Sequence, residues 1–327
     1  MKKFKIFNLS LLVCIPLIFG IYFVSVYYFY YDNKDDSYSI ETYFNFKESL
    51  AKKAKGNKIL FSSGSNNFLG IRAYQVEDAF GVPAYNMSIH AGLKTDYIID
   101  RLKPILNEGD IVILPLEYNN FTYNGEPSIT LNKYLLTYDK EYFNTKYDYT
   151  EQLKMLSSIN VIDLFSSLLN GKNIGKEEQR LEFLKNINEN GDMLNMTIHD
   201  SLKTKKSPIK LPKTLDVEFK GLKAINEFNN YCNEKNISLF ITFPNLIYDK
   251  AYENEKYSNY FNFIISFLNK NNIEIIGSPL QAMYPQNLFF DSEYHLISKG
   301  SDIRTSDFIE QLKNNAKAID KLKSIKN

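Results

Sequence analysis

Three short polar runs in this chain carry residue types that together can move an acyl group. They are Ser62-Ser63-Gly64-Ser65-Asn66-Asn67, His90-Ala91-Gly92 and Asp291-Ser292-Glu293-Tyr294-His295-Leu296. Acyl transfer needs a hydroxyl nucleophile, an imidazole that takes and returns its proton near neutral pH, and a carboxylate that orients the imidazole. The chain has three histidines. His295 follows two carboxylates, Asp291 and Glu293, and is the best candidate base. His90 suits a structural or substrate-binding place, and His199 falls in a segment of different pattern. Ser65 follows Gly64 where a strand is expected to turn into a helix, a place where an exposed hydroxyl and free helix N-terminal amides coincide. It is the best candidate nucleophile. Small polar residues after a strand also serve simply as turns and caps, so residue type alone leaves that reading open.

Other chemistries find less support. The first loop has neither GxGxxG nor GxxxxGKS spacing, which disfavours a nucleotide phosphate site. One cysteine outside the apolar N-terminal run and no paired-histidine motif disfavour zinc. A net charge of +1 gives no broad electrostatic pull on nucleic acid. No cofactor is expected. With Cys14 in the apolar run and Cys232 elsewhere, no disulfide framework can form within the folded part.

The elements that must position these loops follow from the hydrophobic pattern. KILFSS, PAYNMS, DIVILPLEY, ISLFITFP and IEIIGS are short apolar runs typical of buried strands. Helical stretches are expected between or after them, at 68–80, 95–106, 217–235, 254–268 and 301–317. Gly81 is placed to cap the first. This alternation predicts an α/β fold, a three-layer α/β/α sandwich around a parallel sheet. In such a sheet the loops at the carboxyl ends of the strands converge on one crevice, where the three polar runs should meet.

Between about 120 and 214 the alternation gives way to long polar and aromatic stretches with helical pieces, read as a largely helical insertion in a domain spanning 57–327. Its tyrosines and phenylalanines could stack on sugar rings, but with 15% aromatic residues chain-wide, packing against the fold is the simpler use. The echo between NMSIHAGLKT and NMTIHDSLKT lacks matching flanks and is read as coincidence.

Residues 9–31 are uncharged and would span about 34 Å as a helix, enough to cross a bilayer. Lys2, Lys3 and Lys5 precede the run and Asp32, Asp35 and Asp36 follow it, so the N-terminus is expected in the cytoplasm and the main domain outside. Tyr27, Tyr28, Tyr30 and Tyr31 suit the headgroup region at the exit end. The run is long for a signal peptide and is followed by no small-x-small cleavage site, so it reads as an anchor. The expected organisation is therefore a cytoplasmic tip and anchor at 1–31, a stalk with a lead-in helix at 32–56, and the extracytoplasmic domain.

ILFSSGSNNFLGI and FFDSEYHLISKG resemble the nucleophile block and the acid-base block of the SGNH/GDSL hydrolase superfamily. The likeness is greatest to its membrane-anchored branch, which includes the D-alanyl-lipoteichoic acid transfer protein and polysaccharide O-acetyltransferases. It covers roughly 57–120 and 215–315. The resemblance implies a flavodoxin-like sandwich with Ser65 as nucleophile, His295 as base and Asp291 as orienting acid. It implies an oxyanion site in which the Gly92 amide takes part, with Asn119 and Asn66 as further oxyanion or substrate-binding candidates. Two features depart from the family. Pro115-Leu116-Glu117-Tyr118-Asn119 stands where a glycine-x-asparagine-aspartate loop is usual, and Asp291 lies four residues before His295 instead of three. The implied activity is an O-acyltransferase or esterase on a cell-surface polysaccharide, with a multi-pass membrane acyltransferase as the partner that brings the acyl group across. The rival reading is a non-catalytic glycan-binding or assembly protein whose site has degraded.

Overall fold

A computed structural model describes residues 2–29, 37–126, 128–160, 184–197 and 207–326. The strands are β1 (Ile59–Phe61), β2 (Ala84–Asn86), β3 (Ile111–Leu114), β4 (Ser238–Thr242), β5 (Leu246–Ile247), β6 (Glu274–Ile276) and β7 (Met283–Tyr284). The first described helices are α1 (Lys2–Phe29), α2 (Ser37–Ala51), α3 (Ser65–Phe68), α4 (Ala73–Phe80), α5 (Lys94–Asp100) and α6 (Tyr118–Phe121). After them come α7 (Ile129–Tyr138), α8 (Lys140–Lys146) and α9 (Tyr149–Ser157). The last four are α10 (Lys220–Glu234), α11 (Glu255–Lys270), α12 (Ser298–Lys313) and α13 (Ala316–Lys326). The chain divides into two units. One holds α1, the start of α2 and the helices α7 to α9; the other holds the rest, from Thr42 onward, with the sheet.

The five expected apolar runs all form strands of one parallel sheet, in the order β2-β1-β3-β4-β6. The central strands β1 and β3, apolar and buried throughout, suit a parallel sheet whose two faces are covered. On one face Ile59, Phe61, Ile111, Ile113, Phe240 and Ile276 pack with Ala73 and Val76 of α4, Phe308 and Leu312 of α12, and Ala318 of α13. Packed against β4 and β6 are α10 and α11. The chain runs outward from β1 to β2 and then returns to β3. The order therefore reverses between β1 and β3, the point beyond whose carboxyl ends open parallel sheets place their binding crevice.

Several helix boundaries differ from the sequence expectation, each for a local reason. The stretch expected as one helix at 68–80 is broken after α3. The Ile71 amide turns to the Asn67 side chain, the Arg72 amide to the Thr305 hydroxyl, and the Asp192 carboxylate receives the Ala73 and Tyr74 amides that open α4. Gly81 ends α4 in the left-handed conformation, as its sequence position suggested. The helix expected at 95–106 stops at Asp100, and Pro104 then sits in the first turn of a 3-10 segment, Lys103–Ile105. The last expected helix is two, because the Asn315 side chain caps a new start by accepting from the Ala318 amide at 2.9 Å. A second sheet, in which β5 and β7 pair in parallel, has no counterpart in the sequence reading. Two-residue strands are too short to carry a period.

The second half of α2 belongs to the larger unit, where Lys47 and Ala51 are buried. Lys47 donates to the Ser88 carbonyl at 2.7 Å. Within the range read as an insertion, 184–197 also belongs to this unit and adds to the sheet edge: the Asn86 amide of β2 donates to the Asn190 carbonyl at 2.7 Å. Gly191 has φ +81, and a Cβ there would lie 2.6 Å from the Asn86 carbonyl oxygen. A side chain is excluded both by conformation and by space. In the smaller unit, Tyr134, Phe143 and Tyr147 are buried, so these insertion aromatics pack the fold. Residues 161–183 and 198–206 of the insertion, including His199, and 30–36 of the lead-in lie outside the described residues.

Helix α1 contains an 18-residue window, Ser10–Tyr27, with mean hydropathy 2.2, and is long and apolar enough to cross a membrane.

Asp192 links three elements, since its carboxylate also accepts from the Asn86 side chain at 3.1 Å. Burial raises its pKa, while the bonds from Ala73, Tyr74 and Asn86 and the nearby Lys47 act to lower it. Removing it strands several buried donors, so Asp192→Ala is expected to cost about 3 kcal/mol or more of stability. Urea unfolding of the full chain in detergent measures this, and an unchanged midpoint would contradict the role.

Candidate active site

The loop after β1 brings Ser65 to the first position of α3, beyond the carboxyl end of β1. Gly64 precedes it because the second loop passes very close. A Cβ on Gly64 would lie 2.4 Å from the Ala91 Cα and 2.4 Å from a Glu117 carboxylate oxygen. Only glycine fits such an approach.

His295 comes from the loop before α12. An antiparallel bridge between Phe289 and Leu296 closes the base of this loop, and the Phe290 amide donates to the His295 carbonyl at 2.7 Å. The closure brings the first loop residue, Asp291, beside the imidazole. His295 Nδ1 lies 2.6 Å from Asp291 Oδ1, and His295 Nε2 lies 2.8 Å from Ser65 Oγ. With Asp291 ionised, Nδ1–H donates to the carboxylate and Nε2 is left to accept the Ser65 proton. Among the described residues no bond joins Glu293 to the imidazole; its carbonyl instead accepts from the Ile247 amide of β5. The four-residue separation of Asp291 and His295 is thus taken up by the loop. The His295 side chain is 20% exposed and Asp291 43%, so the chain of bonds runs from the half-buried Ser65 outward to solvent.

Two buried residues absent from the sequence expectation hold these loops together. Glu117, 2% exposed, accepts from the Gly64 amide at 3.1 Å, the Asn66 amide at 3.0 Å and the Asn120 side chain at 3.1 Å. Its carboxylate sits where the opening amides of α3 point, a favourable place for an anion. Asn245, at the end of the β4 segment, donates to the Asn66 carbonyl at 3.3 Å and also to the Tyr294 carbonyl, joining the nucleophile loop to the histidine loop. A glutamate three residues past the end of the apolar strand β3 marks Glu117 in the sequence; nothing local marks Asn245.

The remaining candidates are placed differently from the expectation. The Asn66 side chain is buried and spends its N–H donors on the Ser63 hydroxyl and the Pro115 carbonyl. Its role is to tie loops, and its own amide is held by Glu117. Asn119 is exposed on α6, while its neighbour Asn120 is buried against Glu117. The Gly92 amide donates to His90 Nδ1 at 2.9 Å. Among the described residues the Ser65 amide donates to no acceptor.

Part of the His90 ring is exposed, yet the protein packed around it lowers its pKa; Glu117 opposes this and the neighbouring His295 adds to it. The neutral ring fits the observed bond, because only an unprotonated Nδ1 can accept from Gly92.

No family model matches the chain, and neither does any curated protein.

Since the folded state holds a proton on His90 less readily than the unfolded chain, His90 makes folding less favourable as the pH falls below about 6.5. Its imidazole midpoint, followed by NMR and assigned with His90→Gln, is expected below 6.5. A midpoint at or above that value would contradict the packing described.

Proposed function

We propose that this chain is an extracytoplasmic O-acyltransferase or esterase that acts on a cell-surface polysaccharide through a serine acyl-enzyme, and that it is related to the SGNH/GDSL hydrolases. The observation that carries the reading is the hydrogen-bond path from Ser65 through His295 to Asp291 at the carboxyl ends of β1 and its neighbours. The strand order agrees with the flavodoxin-like sandwich that the sequence resemblance implies. Helix α1 serves in this reading as an anchor, with the lysine-bearing N-terminus in the cytoplasm and the folded part outside.

In the reaction, Ser65 Oγ attacks the acyl carbon as its proton passes to His295 Nε2, and Asp291 stabilises the imidazolium. Collapse of the tetrahedral intermediate breaks the bond to the leaving alcohol, which takes the proton from His295. A sugar hydroxyl or water then gives its proton to His295 and attacks the acyl-serine. The ester or acid is released as the proton returns to Ser65. A donor outside the cell requires delivery of the acyl group, for which a multi-pass membrane acyltransferase is the proposed partner.

The second reading, a glycan-binding or assembly protein without catalysis, draws support from the Gly92 amide being bound to His90 and from the exposure of Asn119. Each missing oxyanion donor would forgo about 3 kcal/mol of transition-state stabilisation.

Turnover of an activated acetyl ester by the full chain, with and without sugar acceptors, tests the proposal. Ser65→Ala and His295→Ala should reduce turnover to background and Asp291→Asn should lower it by about three orders of magnitude or more. Acyl transfer that increases with acceptor would identify a transferase, and hydrolysis alone an esterase. Turnover indifferent to all three substitutions would sink the proposal.

A further inference from the structure

The helices α7 to α9 share a unit with α1, and their contacts with it fall at graded heights along its exit end. At the top, Lys140 of α8 donates to the Tyr27 carbonyl at 3.0 Å and its ammonium lies 4.7 Å from the Tyr27 ring centre. The Asn144 side chain donates to the Tyr27 hydroxyl at 3.1 Å, and Phe143 packs on the same ring. Lower down, the Tyr22 hydroxyl donates to the carbonyl of Ile159, just beyond α9. Tyr22 lies inside the apolar window Ser10–Tyr27, five residues from its end, or about 7.5 Å along the helix axis. The window itself is about 27 Å long, close to the thickness of a bilayer's hydrocarbon core. With the window spanning that core, the end of α9 reaches the depth at which interfacial helices lie, about 5–10 Å into the boundary between headgroups and acyl chains.

The face that α9 leaves uncovered has side chains suited to that depth. Tyr149 is 86% and Leu153 50% exposed, four residues apart on one stripe of the helix. Lys154 beside them is exposed and long enough to return its charge to the headgroups. Met155 and Leu156, toward the end of the same helix, are buried within the unit. Ile129, at the first turn of α7, is also half exposed.

We propose that α9 lies in the membrane interface, with Tyr149 and Leu153 inserted among the lipids of the leaflet on the exit side of α1. The inserted segment thus grips the bilayer surface next to the anchor and fixes the smaller unit against it. This inference rests on the anchor reading proposed above.

The chain contains no tryptophan, so a single introduced indole reports alone. Full-length Leu153→Trp and Val24→Trp variants in bilayers containing brominated phosphatidylcholine test the two readings separately. Loss of more than half the emission in both variants, relative to unbrominated lipid, is the expected result. Quenching of the Val24 variant without quenching of the Leu153 variant would overturn the interfacial helix and leave the anchor standing. Quenching of neither would remove the anchor and the inference with it.

Discussion

The Glu117 carboxylate receives N–H donors from Gly64 and Asn66 on one loop and from Asn120 on another, and the position of Ser65 depends on this clamp. A four-residue helix such as α3 cannot stand by its own hydrogen bonds, since short helices are marginal without tertiary support. Glu117 supplies the support by satisfying amides at its start, and charge-assisted bonds of this kind are stronger than neutral ones. The close approach of Ala91 to Gly64 fixes the other side. Between them the loop after β1 has little freedom, and Ser65 is presented where the His295 imidazole can reach it.

His295 is located by a separate set of ties. Asn245 joins the Asn66 and Tyr294 carbonyls, the short pairing of β5 with β7 supports the segment before the loop, and the Leu296 amide donates to the Leu69 carbonyl at 3.2 Å. Asp291, His295 and Ser65 thus come from two distant stretches of chain, and each stretch is anchored to the other by buried amide groups. Such networks are costly to leave half-satisfied, which is the physical reason for the site to hold one arrangement.

The sheet was legible in the sequence because its central strands are uninterrupted apolar runs, ILF at β1 and IVIL at β3, and its other strands are short runs dominated by apolar residues, separated by helical periods. Helix ends were less legible. The break after Phe68 depends on Asp192 and Thr305, which are distant in sequence, and the stop after Asp100 could have been read from Pro104. At the candidate site, residue type and place pointed to Ser65 and His295 but left Asp291 and Glu293 as alternatives, between which the resemblance implied Asp291. The donors were not legible. Whether an amide is free depends on what another loop brings to it, as Glu117 does for Asn66 and His90 for Gly92, and no local pattern carries that information.

The His90 ring is tied to the second loop through one amide. While neutral it holds the Gly92 amide; protonation would replace that bond with a donor facing a donor. Whether His295 activates Ser65 is read out by labelling with a serine-reactive fluorophosphonate followed by peptide mapping. The full chain should carry one rapid adduct, on Ser65, and His295→Ala should lose it. An unlabelled Ser65, or labelling that proceeds equally without His295, would contradict that activation.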